Sequence, residues 1–212
     1  MRNLLGRWRG NENKCSTAGS SYIITYTGKR FDLPCPSIEQ ICLDDIAHAL
    51  SQQCRFNGHT SRMWSVAAHS ILVHDIAKSE KEEDDVLAAC LFHDAAEAYI
   101  GDIVTPLKQC IPEIGAVESG ILRTIAIKYG IDFNSHKDRI KQYDLRALAA
   151  EKKAFLNTTD KWECLKGIEN KFNDDITINA YLMDYISTKQ RTIALDSRRT
   201  KEVFLELARR YI

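Results

Sequence analysis

The stretch Leu91–Lys108, reading LFHDAAEAYIGDIVTPLK, constrains this chain more than any other. An apolar run from Val86 to Phe92 leads straight into His93-Asp94, and Glu97, Gly101 and Asp102 follow. On a helix of about 3.6 residues per turn, His93 and Glu97 share a face and Asp94 lies about a third of a turn round. Ala95, Ala96 and Ala98 leave room beside them. Burying an imidazole and two carboxylates is costly unless a divalent cation compensates. The stretch therefore reads as part of a metal site inside a helical body. A His-Asp pair is more often a surface or hydrogen-bonded pair, and the chain offers one for comparison. His74-Asp75 runs into Lys78, Glu80, Lys81, Glu82, Glu83, Asp84 and Asp85, a charged segment that reads as solvated. His74-Asp75 is expected at the surface and His93-Asp94 inside.

The remaining pattern is helical. Ser21–Asp32 holds β-formers on both sides of Thr27-Gly28-Lys29, a short hairpin closed by Pro34 and Pro36, or else an extended arm lying on a helical body. Apolar residues at 43, 46, 47 and 50 predict an amphipathic helix over Leu43–Gln53, with Asp44 and Asp45 in its first turn. The polar, Asn-Gly-containing Cys54–Arg62 ends it. Further helices are expected at about Trp64–Lys78, Glu82–Tyr99, Pro112–Tyr129 with Gly130 as its cap, Ser135–Phe155, Ile176–Ser187 and Ser197–Tyr211. Pro106 should keep the segment after Asp102 a loop. Residues 157–175 read as a loop anchored by Trp162. The fold class is all-α: residues 1–36 form an N-terminal arm with a small β-hairpin, its first 20 residues partly ordered, and 37–212 form one helical domain.

Composition narrows the function. Lys+Arg and Asp+Glu are 29 each, so the net charge is zero and bulk nucleic-acid or membrane-surface binding has no support. The basic tail residues Arg198, Arg199, Lys201, Arg209 and Arg210 read as a solvated helix face. Seven cysteines, an odd number without a C-x-x-C pair, resemble neither a disulfide framework nor a zinc knuckle. No stretch is apolar enough for a signal peptide or a membrane span, so the expected place is the cytoplasm and the expected partner a small molecule.

His69, His93, Asp94 and Asp144 are the polar side chains that fall among apolar neighbours on successive helices. Two imidazoles and two carboxylates suit a borderline divalent ion with positions left open for water and substrate. The order His69…His93-Asp94…Asp144 reproduces the H…HD…D signature of the HD superfamily of metal-dependent phosphohydrolases. HDAAEAYIGDIVTPLK resembles the HD-x-x-E-x-x-x-x-D-x-x-T-P-x-K stretch of the YfbR-like 5'-deoxynucleotidases, VAAHS at 66–70 their V-x-E-H-S, and YDLRALAAE at 143–151 the segment with their last aspartate. The likeness spans about residues 46–155. The segment from Phe31 to Ser70 also looks like small phage and bacterial HD hydrolases, including the DatZ-like enzymes that remove triphosphate from dATP.

The resemblance implies an HD-domain helical bundle holding one divalent ion (Co, Mn, Zn, Fe or Mg) on His69, His93, Asp94 and Asp144. It makes Glu97 the catalytic glutamate, Asp102 a residue at the deoxyribose or leaving side, and Arg55, with Phe56 beside it, the phosphate ligand. A guanidinium fork suits that last role. Thr105 and Lys108 are further substrate contacts by the same likeness, His69 lies at the substrate face, and Arg62 rivals Arg55. Ala68 stands where the family has glutamate, and Arg55-Phe56 where it has Arg-Trp; these departures leave monophosphate and triphosphate both open. Phe56 or Trp64 is available to stack on a base. Enzymes of this kind are often homo-oligomers. The expected activity is hydrolysis of a dNMP or dNTP phosphate; the alternatives are a (p)ppGpp or cyclic-nucleotide hydrolase and a non-catalytic metal- or nucleotide-binding protein.

Overall fold

The computed structural model of the chain describes residues 21–168 and 196–212. The first 20 residues of the arm expected over 1–36, and the helix expected near Ile176–Ser187, lie outside them. Strands β1 (Tyr22–Ile24) and β2 (Arg30–Asp32) pair antiparallel, with Ile23 opposite Phe31. Gly28, at φ +81°, makes the tight turn between them. The helices are α1 (Leu43–Gln52), α2 (Val66–Ser79), α3 (Asp84–Phe92), α4 (Glu97–Ile100), α5 (Thr105–Cys110), α6 (Pro112–Tyr129), α7 (Lys137–Phe155) and α8 (Ser197–Ala208). The all-α architecture with a small hairpin is thus the observed one.

Helix α2 is the centre of the bundle. Val66 to His74, Ile76 and Ala77 are all buried, as expected of a helix packed on every side. It touches α1, α3, α7 and α8. Ser65 starts it, its hydroxyl accepting from Ala68 N at 3.1 Å. The hairpin is fastened to this body at two points. Asp45, on the buried side of α1, accepts from Thr27 N at 2.7 Å and Thr27 Oγ1 at 2.9 Å. Phe31, fully buried, stacks on Tyr99 of α4 with ring centroids 3.7 Å apart.

Two expectations about local structure need correcting. The helix expected over Glu82–Tyr99 breaks after Phe92. From there the backbone bonds tighten to i+3 steps, Ala95 N to Phe92 O, Glu97 N to Asp94 O, Ala98 N to Ala95 O and Tyr99 N to Ala96 O. His93-Asp94 therefore sit on a turn between two helices. The expected loop after Asp102 is short, because Pro106 occupies the first turn of α5, where a missing N–H costs nothing. No helix among the described residues is long and apolar enough to cross a membrane.

Candidate metal centre

His69 lies one turn into α2 and is fully buried. Its Nδ1 is 2.7 Å from Glu151 Oε1 on α7. A carboxylate accepts, so Nδ1 carries a proton in either charge state, and Nε2 is the atom left to offer a lone pair once the ring is neutral. His93 is oriented in the same sense by a different partner: its Nδ1 donates to the Cys90 carbonyl at 2.8 Å. Both Nε2 atoms are buried without a hydrogen-bond partner.

The two orphaned nitrogens look onto carboxylates. Asp94 Oδ2 lies 3.6 Å from His69 Nε2 and 3.1 Å from His93 Nε2, and Asp144 Oδ1 lies 3.3 Å from His69 Nε2. His69, His93 and Asp144 place donor atoms within 4.8 Å of one another. Burial alone would raise the two aspartates, but His93 and His69 hold both well below the usual carboxylate range. Burial and the Arg55 charge would push the His69 imidazole down, yet Glu151 and Asp144 carry it up to about 9. Imidazole Nε2 atoms that can shed a proton, facing ionised carboxylates, form the mixed N/O donor set of a divalent transition ion, and the residues present fit one. A cation here would satisfy the polar atoms that the protein leaves unpaired.

Arg55 borders this cluster. Its guanidinium donates from Nε to Glu151 Oε2 at 3.1 Å, and Nη1 lies 3.7 Å from Asp94 Oδ2. Burial opposes its charge, but Glu151, Asp94, Asp102 and Asp144 together raise its pKa further. The loop that carries it is pinned at its base by Arg55 N to Trp64 O and Val66 N to Gln53 O. Phe56 and Asn57, at φ 55° and 51°, are left-handed, a conformation that costs a non-glycine residue energy and recurs at functional sites. The half-buried Phe56 ring lies 5.4 Å from the Arg55 guanidinium carbon. Arg62 points away, exposed, with its guanidinium carbon 5.7 Å from the centre of the Phe155 ring.

Glu97 opens α4 and is 3% exposed. Its Oε1 accepts from Lys108 Nζ at 3.3 Å, while Oε2 is buried without a partner. Burial first, then the charges of Asp94 and Asp102, push its carboxyl up to about 9, against the pull of Lys108 and Arg55. Lys108 is itself held by Glu118 on α6 at 2.8 Å. Asp102 follows the Gly101 cap and is raised by burial despite the nearby Arg55 charge. Thr105 is exposed at the start of α5.

Two readings of the sequence fail here. His74 is no surface residue: it is fully buried, bonded through Nδ1 to Asp75 at 2.9 Å and through Nε2 to the Tyr211 hydroxyl at 2.8 Å. The charged run that follows it begins only where α2 ends, so it says nothing about His74. Trp64 is no base-stacking platform, being fully buried with its indole N–H donating to Glu151 Oε1 at 2.7 Å. The residue that sequence reading passed over is Glu151, wholly buried under three donors. Its signal was its spacing, seven residues after Asp144 and so two turns along the same face of α7.

Comparison with known proteins gives the family. The HD domain family pattern matches residues 51–194. Over 149 residues the chain is 36% identical to the uncharacterized protein YfdR of Escherichia coli K12, covering 70% of this chain and 80% of that one. An uncharacterized protein of Rhodobacter capsulatus is 41% identical over 106 residues, 48% of this chain and 53% of its own length. Family match, helical architecture and the converging His/Asp donors together make this chain a member of the HD-domain superfamily of metal-dependent phosphohydrolases.

Proposed function

We propose that this chain hydrolyses a phosphate ester of a (deoxy)nucleotide, a dNMP or a dNTP, at the site built from His69, His93, Asp94 and Asp144. The observation that carries the reading is the pair of buried, partnerless Nε2 atoms facing carboxylates, with a buried arginine alongside. A divalent ion held by those four residues supplies Lewis acidity and lowers the pKa of a nearby water. Arg55 binds the phosphate oxygens, for which a guanidinium fork is suited. Water oxygen bonds to phosphorus as the ester P–O bond breaks, and the leaving oxygen takes up a proton. Glu97 manages the water's proton: its orphaned Oε2 is the acceptor, and its pKa near 9 makes it readily protonated. Positive charge brought into the pocket returns Glu97 towards the carboxylate form needed at the start of a cycle. Lys108 holds Glu97 in place, Asp102 lies at the sugar or leaving side, and Phe56 offers a ring to the base. Likeness to the YfbR-type and DatZ-type hydrolases supports a deoxynucleotide.

The test is product analysis with dNMPs and dNTPs after stripping the protein of metal and adding Co²⁺, Mn²⁺, Zn²⁺, Fe²⁺ or Mg²⁺ singly. Inorganic phosphate from dNMPs identifies a nucleotidase, and inorganic triphosphate from a dNTP identifies a triphosphohydrolase. No turnover of either class with any metal would overturn the reading.

A further inference from the structure

Glu151 is a carboxylate that the chemistry above does not use. It is fully buried, and burying a charge is tolerated only where it is paired and hydrogen-bonded. Its Oε1 receives His69 Nδ1 and Trp64 Nε1, both at 2.7 Å, and its Oε2 receives Arg55 Nε at 3.1 Å. One side chain of α7 thus sets the orientation of an imidazole on α2 and of a guanidinium on the 54–65 loop. With Nδ1 held by this acceptor, His69 presents Nε2 to the cluster. Arg55 presents its terminal nitrogens to Asp94, and so to any anion arriving there, only while Nε is tethered.

We infer that Glu151 is a positioning residue that couples the two halves of the site, so that metal affinity and phosphate affinity depend on one buried carboxylate. Acceptors behind metal-bound histidines typically change metal affinity by about 10–100-fold when removed. What is particular here is that the same group also holds the anion-binding arginine. The inference rests on the proposed reading in one respect: His69 binds a metal and Arg55 a phosphate.

The experiment measures binding without turnover. Co²⁺ affinity is followed by its visible absorption, and inorganic phosphate affinity by calorimetry at saturating Co²⁺. Glu151→Gln, which keeps the shape but loses the charge, should weaken Co²⁺ by about 10–100-fold and should also weaken phosphate about tenfold, the cost of a mis-aimed charge-assisted bond. Glu151→Asp keeps the charge but shortens the reach, and should show both losses; it carries the test if the glutamine variant does not fold, as judged by thermal unfolding. Trp64→Phe removes a donor from the same oxygen without touching His69 or Arg55, and should leave both affinities within about twofold even though it lowers the melting temperature. A folded Glu151 variant with unchanged Co²⁺ affinity would overturn the inference, as would unchanged phosphate affinity at saturating metal. Equal losses in Trp64→Phe would reduce Glu151 to a packing role and overturn it too. Wild-type protein that binds Co²⁺ and phosphate but hydrolyses no nucleotide sinks the proposed function while leaving this coupling intact.

Discussion

A histidine whose Nδ1 proton is already committed has one atom left to offer, and in this site two histidines are in that position. His69 is committed to Glu151 and His93 to a backbone carbonyl. Alanine at His93, Asp94 or Asp144 should abolish metal binding and turnover together. Glu97→Gln should bind Co²⁺ normally and lose at least about 10²-fold in turnover; loss of metal in that variant would contradict its assigned role. Metal binding should also release protons. Because His69 sits near 9 without metal, its Nε2 is protonated at pH 7 and must lose that proton to become a ligand. Affinity for Co²⁺ should therefore rise with pH up to about 9, and binding heats at pH 7 should vary with the ionisation enthalpy of the buffer. A pH-independent affinity between 6 and 9 would refute this. The metal-ligand candidates were legible because they are rare residue types in apolar company. Glu151 was not, because a glutamate in AAEKK looks like any helix-surface charge, and only α2 and the 54–65 loop packing over it bury it.

At the scale of elements, periodicity located α1, α2, α6, α7 and α8 within two or three residues. Helix α6 begins at Pro112 and ends before Gly130, which is left-handed at φ 70°, as the sequence reading expected. What periodicity could not foresee was the break after Phe92, since HDAAEAY holds no Gly or Pro to mark it. The His93 ring takes the Cys90 carbonyl, a group that a continuing helix would use for its own backbone. The break also separates the chemistry: His93 and Asp94 stay on the turn while Glu97 starts a new helix. Gly101 ends that helix at φ 86°, ψ 159°, a region essentially reserved for glycine. Gly101→Ala meets no atom within 4 Å, so its cost is backbone strain alone. It should lower stability by about 1–3 kcal/mol, measured by denaturant unfolding, and reduce turnover by displacing Asp102. Unchanged stability would mean that the loop relaxes freely.

For the whole molecule, the N-terminal hairpin read in sequence as a β-patterned piece ahead of a helical domain. Its Phe31 is buried in the core against Tyr99, two residues from Glu97. Phe31→Ala should cost about 3–5 kcal/mol and slow turnover while leaving Co²⁺ binding nearly intact, a split that activity and metal titrations read separately. His74 makes a similar point at the other end of the chain, where Tyr211 supplies a partner that no local pattern around His74 could reveal.

Helix α1 lies against α8, and Gln52 Nε2 reaches Ser197 Oγ across a separation of 145 residues. Such long closures make folding slow. They also set a schedule for the nascent chain. At roughly 5–20 residues per second, α1 leaves the ribosome on the order of ten seconds before its partner helix exists. For that interval α1, whose Ile46, Ala47 and Leu50 are buried in the finished fold, lacks its α8 neighbour, one of the helices it packs against.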